Sequence, residues 1–334
     1  LTIHASLLTP SLALYAAAVA VLTFAAGAAY RRIWRRVRDD GVTPTGFGAF
    51  LAPVMLGAAL VSGATAALIV SLAVVTLVTA IYWIDDLIHL SARLRLLISF
   101  LAGAGIGLAY LLGQGLSWPL LLVVVLAAGC VCVVLTNMVN FYDGADLNLA
   151  SFIALTAAMI LIFTPAYRDW APVAVGALAF ILPFGVMNSR PRTVYLGDSG
   201  SFAFAGLLTA MAVAFFQNIV NIAPEAAIPA ALPTLDVAYV FAVRIIEKHD
   251  MLTRNYLHLY QRLNRRYQGF GYLLPQFINV GLCLGVAALL EVLGLGRILS
   301  VIAAMILITP PYYFLCRRLY LAGPPEGPLY ETSR

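Results

Sequence analysis

"ATAALIVSLAVVTLVTAIYWIDDLIHLSARLRLL" (residues 64–97) is the stretch that decides the fold. It opens with an apolar run of about twenty residues, the length that crosses a ~30 Å hydrocarbon core as a helix. That run ends on two adjacent aspartates, Asp85 and Asp86, and another apolar run begins just after Arg93 and Arg95. Comparable runs fill roughly 9–30, 47–63, 64–84, 96–114, 118–138, 149–166, 170–188, 202–222, 226–246, 272–293 and 298–316. Only Val-Ser-Gly-Ala-Thr (61–65) parts the second from the third, which predicts a tight helical hairpin.

Composition agrees. Of 334 residues, 62% are hydrophobic and 10% charged, against roughly 25% charged in soluble domains. A backbone in lipid must satisfy its own hydrogen bonds, and runs of helical length favour a bundle over a barrel. The expected fold is an all-α polytopic membrane protein of about eleven transmembrane helices. A single integral-membrane domain would cover 1–320, with cytoplasmic loops at 31–46, 85–95, 139–148, 189–201 and 247–271 and a short cytoplasmic tail at 321–334. All but two of the 20 basic residues fall in alternate loops on one side, leaving Arg168 and Arg297 for the other. The positive-inside bias then sets the N-terminus outside and the C-terminus in the cytoplasm. It also accounts for the net charge of +5 without nucleic acid.

The first basic cluster follows its apolar stretch, the reverse of the order in a secretory leader. Cys130, Cys132, Cys283 and Cys316 lie in or at the edge of apolar runs, and their spacing supports neither a disulfide framework nor a zinc site. No repeat of 20–50 residues is visible.

The acidic residues carry the functional signal. Asp85, Asp86, Asp143, Asp146 and Asp198 all fall just outside apolar runs on the predicted cytoplasmic side, and only Asp236 sits in the middle of one. A transporter buries its acids at mid-span; here the pattern predicts a polar chamber at the cytoplasmic membrane face. At the carbonyl end of a helix the dipole disfavours each anion by ~0.3–1 kcal/mol. The Asp85–Asp86 doublet therefore calls for a cation, supplied by Arg93 and Arg95 or by a metal, unless it is solvated surface. In "LTNMVNFYDGADLNLAS" (135–151), Asn137 and Asn140 share one helix face, Gly144 breaks the helix, and Asp143 and Asp146 follow on the turn. Such groups bind a base, a sugar or a hard cation, or else cap two helices as an Asx-rich turn. "YLGDSGSFAFAG" (195–206) puts Asp198 and two serines at a helix start, a good N-cap and a ready anion site. In "LTRNYLHLYQRLNRRYQ" (252–268), Arg254, His258 and Arg262 line one stripe and apolar residues the other, as in a basic helix lying on the membrane.

These stretches, in this order, resemble the polyprenyl-phosphate N-acetylhexosamine-1-phosphate transferase superfamily (glycosyltransferase family 4). "DDLIHLSARLRLL" (85–97) looks like its Asp-Asp motif. "NMVNFYDGADLNLA" (137–150) matches Asn-x-x-Asn-Phe-x-Asp-Gly-x-Asp, and "RPRTVYLGDSGS" (190–201) resembles its Gly-Asp-Ser-Gly-Ser loop. "TPTGFG" (43–48) is similar to its threonine-proline and glycine motif, and "HLYQRL" (258–263) to the loop of the O-antigen-initiating branch. Three departures stand out, one of them Asn255, which stands where related enzymes often carry another histidine and leaves His258 alone. Leu147 replaces a glycine, so the turn after Asp146 is expected to differ, and Phe47 replaces another.

The resemblance implies transfer of an N-acetylhexosamine-1-phosphate from a UDP-sugar to undecaprenyl phosphate, with release of UMP, at the cytoplasmic face of a bacterial inner membrane. Asp85, Asp86 and Asp143 would be catalytic. Mg²⁺, with Mn²⁺ as substitute, would sit on Asp198 and Asp86. Asn137, Asn140, Asp146, His258, Arg254 and Arg262 would bind substrate. Membrane lipids are the expected surroundings, and a homodimer is allowed for. The alternatives are phospho-MurNAc-pentapeptide transfer and, from another class, a lipid-linked-sugar transporter.

Overall fold

A computed structural model describes residues 9–37, 42–111, 117–163, 169–189, 192–217, 222–248, 257–267 and 273–321. Arg254 and the tail beyond 321 lie outside them. The described residues are helical, with no strand among them: α1 (Pro10–Val37), α2 (Leu51–Ser62), α3 (Ala66–Ile88), α4 (Ala92–Leu111), α5 (Trp118–Tyr142), α6 (Asn148–Phe163), α7 (Trp170–Asn188), α8 (Gly197–Gln217), α9 (Ala231–Ile246), α10 (Leu259–Tyr267), α11 (Leu273–Val292) and α12 (Arg297–Leu321). Short 3₁₀ turns, Phe47–Phe50 and Pro224–Ala230, lead into α2 and α9.

Eight of these helical stretches are long and apolar enough to cross a membrane. Three more apolar helices, Phe47–Ser62, Asn148–Phe163 and Arg297–Tyr312, are shorter. Each apolar run of the sequence thus coincides with a helix, and the chain is a multi-pass membrane protein. The α2–α3 hairpin turns on Gly63, whose left-handed φ of 66° lets its N–H and that of Ala64 bond back to Leu60 and Ala59.

The chain forms two compact units, residues 1–223 and 224–334. In the first, α8 is the central helix. It buries 78% of its most apolar window, against 22% for α1 and α5, whose flanks are left for lipid. Its sequence explains this: small residues let neighbours approach, and Phe202 and Phe204 fill the gaps, fully buried. Tyr82 of α3 stacks on Phe202, ring centroids 4.6 Å apart, and shares a 2.6 Å hydrogen bond with Ser99 of α4. Phe47 is also fully buried, stacked on Phe180 of α7 at 5.6 Å. Where a glycine was expected, this chain has an aromatic plug that holds the 43–48 loop down.

Helix α3 runs four residues past the boundary predicted at 84, so Asp85 and Asp86 lie inside its last turn rather than after it. Both carboxylates are buried and find donors there, which offsets their unfavourable place at a helix's negative end. His89 (φ 57°) then closes the helix, its N–H bonded to the Asp85 carbonyl.

In the second unit, Asp236 of α9 is 1% exposed and faces three polar groups. Leu259 N–H and the Tyr312 hydroxyl each donate to Oδ1 at 2.8 Å, and His258 Nδ1 lies 3.0 Å from Oδ2. This one carboxylate ties α9 to the start of α10 and to α12. The expected membrane-surface basic face is overturned for His258 and Arg262. Both are buried beside Leu259, Tyr260 and Leu263, because Asp236 and the Leu257 carbonyl supply partners that water would otherwise provide.

Candidate active site

Everything in the first unit's polar cluster meets at one helix start, the N-terminus of α8. Two loops build it. The 43–48 segment pairs with 193–196 through Tyr195 N–H to Pro44 O (2.8 Å), Phe47 N–H to Tyr195 O (3.1 Å) and Gly48 N–H to Leu196 O (2.9 Å). Gly197 follows with φ 76°, and a Cβ there would stand 2.5 Å from Asp86 Oδ1. Only glycine fits between that carboxylate and the chain.

Asp86 receives the α8 start with both oxygens. Asp198 N–H donates to Oδ1 at 2.8 Å and Ser199 N–H to Oδ2 at 3.1 Å. A carboxylate on α3 thus caps another helix, satisfying two N–H groups that α8 cannot satisfy itself. Asp198 is thereby held with its side chain projecting away, about one-third exposed. Its Oδ1 accepts from Asn140 Nδ2 at 2.6 Å, and its Oδ2 from Arg95 Nη1 at 2.9 Å. The same Arg95 nitrogen lies 3.6 Å from Asp85 Oδ2. Asp85 Oδ1 accepts the Leu90 N–H, whereas its buried Oδ2 accepts no hydrogen bond.

Asp143 caps α5 and accepts a 3.3 Å hydrogen bond from Ser201 on the first turn of α8. Burial pushes its carboxyl well above the usual carboxylate range, and the charges of Asp198 and Asp86 add to the shift. Asp146 is turned elsewhere: its two oxygens accept from Arg192 Nη1 at 2.9 and 3.2 Å in a pair that is buried on the acid's side. Leu147 itself adopts a left-handed φ of 63°, a conformation that favours glycine, held by a 2.7 Å hydrogen bond from its N–H to Asn188 Oδ1.

Of the sequence-predicted residues, Asp85, Asp86, Asn140, Asp143 and Asp198 come together. Asn137 donates to the Val133 carbonyl one turn back on its own helix. His258 and Arg262 belong to the second unit and its Asp236 cluster. Sequence reading passed over Ser201, Asn188 and Arg192 as partners. Ser201 and Arg192 sit inside quoted motifs, but nothing in their spacing announces what they touch.

Among the described residues, no three His, Cys, Asp or Glu side chains stand close enough to cage a metal. A magnesium ion needs no such cage, since it commonly takes one or two carboxylates and fills the rest with water and substrate phosphate. Asp85, with its unbonded buried oxygen, and Asp198, bridged to it by one cation, fit that donor set.

Residues 68–216 match the profile of the family described as glycosyl transferase family 4. The chain is also similar to phospho-N-acetylmuramoyl-pentapeptide-transferases. It is 34% identical to that of Bacillus licheniformis over 101 residues (30% of this chain, 29% of the relative). It is 33% identical to that of Anoxybacillus flavithermus over 104 residues (30% of each). A Streptococcus pneumoniae relative is 35% identical over 86 residues (25% of this chain, 26% of the relative). The matched segments thus span under a third of these relatives' lengths. The profile match runs across the helices that carry the carboxylate cluster, from α3 to α8.

Proposed function

We propose that the protein transfers an N-acetylhexosamine-1-phosphate from a UDP-sugar to undecaprenyl phosphate, releasing UMP and starting a lipid-linked surface polysaccharide of the O-antigen type. The observation that carries this reading is the meeting of Asp85, Asn140, Asp143 and Asp198 around the start of α8. An oxygen of the lipid phosphate attacks the β-phosphorus of the UDP-sugar, the bond from that phosphorus to the bridging oxygen breaks, and UMP leaves with the electron pair. Mg²⁺, or Mn²⁺ in its place, supplies charge neutralisation on the diphosphate and a better leaving group. Asp86, expected to share the metal with Asp198, has both oxygens taken by the α8 start, so Asp198 and Asp85 would hold the ion while Asp86 keeps the Asp198 backbone in place. Asp85 would also take the lipid-phosphate proton, a role worth ~10²–10⁴-fold in rate. Asn140, Asp143 and Asp146 would face the nucleotide-sugar, with Asn137 in support. The rival route, a phosphoryl-enzyme on an aspartate, predicts a labelled protein adduct that acid quench would trap.

The proposed setting is a bacterial inner membrane, with the active site on the cytoplasmic face. The fold is eleven spans in a single domain, N-terminus outside, tail in the cytoplasm, as monomer or homodimer. Glu225 and Arg297, which that topology puts on the same outer side, form an ion pair. A second reading, phospho-MurNAc-pentapeptide transfer, is favoured by the names of the similar proteins. Incubating the purified protein with undecaprenyl phosphate and a panel of labelled UDP-sugars separates the two. Product from a UDP-N-acetylhexosamine but not from UDP-MurNAc-pentapeptide supports the first, and the reverse supports the second. No lipid-linked product from any donor overturns both.

A further inference from the structure

Arg95 stands where this site needs a cation. Its Nη1 is 2.9 Å from Asp198 Oδ2 and 3.6 Å from Asp85 Oδ2, so one nitrogen bridges two carboxylates that otherwise repel. Its own carbonyl accepts the Tyr82 hydroxyl at 3.0 Å, which fixes the root of the side chain on α4. The Arg95 side chain is 38% exposed, whereas that of Asp85 is 2% exposed. Buried carboxylate oxygen facing a half-exposed arginine is an asymmetric pair: the acid is fixed and the base is free to leave.

The oxygens involved are the ones the proposed metal needs. Magnesium binds carboxylate oxygen at about 2.0–2.1 Å. Two more positive charges that close to an arginine nitrogen, itself within hydrogen-bond reach of the same atom, would strongly repel it. Arginine does not shed its charge in proteins, so it must move. Moving it is cheap, because a half-exposed ion pair contributes on the order of 0–1 kcal/mol to stability.

We propose that Arg95 is the resident cation of the metal-free site, holding Asp85 and Asp198 together until a divalent ion takes the same oxygens and displaces it. The inference rests on the reading of Asp85 and Asp198 as the metal-holding pair. Displacement also frees a planar fork of N–H donors suited to phosphate oxygens.

The test uses the full-length protein in detergent without nucleotide or lipid phosphate. Mn²⁺ binding is followed by electron paramagnetic resonance, and thermal unfolding is recorded with and without the ion. R95Q should bind Mn²⁺ more tightly than wild type, by up to about fivefold. It should also melt lower without metal and gain more on adding it. R95K, which keeps the charge, should fall between the two. R93Q removes an exposed arginine of the same helix turn and should bind as wild type does. Equal or weaker binding by R95Q overturns the exchange, and so does an equal gain in R93Q, which would mark a general effect of charge. If D198N abolishes binding while R95Q matches wild type, the exchange fails and the metal reading survives. If wild type itself binds no Mn²⁺, both fall.

Discussion

At the scale of single residues, Asp143 shows that the cluster is arranged against local stability. Its proton is held well above the ordinary carboxylate range by burial, helped by the charges of Asp198 and Asp86. A raised folded-state value favours the folded protein below the unfolded value of about 4. That contribution is lost as pH climbs through the interval up to the raised value. Asp143→Asn keeps the shape and removes the titration. It should therefore melt higher than wild type at pH 7–8, with the gain shrinking towards pH 4 in differential scanning fluorimetry. Transfer should meanwhile fall by about 10²-fold or more. Leu147 is the other residue under load, because a left-handed conformation costs a non-glycine residue about 1–2 kcal/mol. Leu147→Gly should leave the unfolding free energy within about 1 kcal/mol of wild type, as relief of strain offsets lost side-chain contact. Leu147→Val, branched where the backbone is already crowded, should lose more than about 1 kcal/mol in urea titration. The sequence marks this position as a departure from the family pattern, yet not its outcome: the hydrogen bond that its N–H donates to Asn188 Oδ1, 41 residues away, decides it.

At the scale of elements, α3 and α8 are joined by a cap that crosses between them. Asp86 gives up both oxygens to the first N–H groups of α8, and hydrogen bonds to charged groups contribute ~1.5–3 kcal/mol each. Asp86→Ala should thus insert in the membrane yet lose about 3–6 kcal/mol of stability along with its transfer activity. Gly197→Ala should show a related defect of about 1–3 kcal/mol, since it must carry a Cβ at φ 76° against the Asp86 carboxylate. The helices themselves were legible, because apolar runs of spanning length have one solution in lipid. Their ends were less so. The stop predicted before Asp85 assumed that acids leave the membrane region, and buried donors from a distant loop reversed that. The stripe around the start of α10 misled for the same reason: His258 and Arg262 look like surface in a helical projection until Asp236, on another helix, and the Leu257 carbonyl supply partners. Asp236 was visible as the single mid-run acid, but its role as a three-way tie was not.

At the scale of the whole molecule, the sequence announces a multi-pass helical membrane protein, and eight helical stretches of spanning length agree. Eleven crossings remain the proposal, and three of them fall to shorter helices whose burial beside neighbours, as for α6 with Phe152, Ile153 and Ile160, lets them work without full lipid exposure. Scanning single cysteines introduced at 93 and 297 in oriented vesicles should label them from opposite sides; labelling from one side would remove the topology. The central claim is chemical, however, and the fate of one phosphorus atom tests it. With UDP-N-acetylhexosamine carrying ³²P in its β-phosphate, undecaprenyl phosphate and Mg²⁺, the label should pass into lipid-linked product while unlabelled UMP is released, and Asp198→Ala should abolish both. Label left in released UDP, with the sugar alone transferred, would contradict the account.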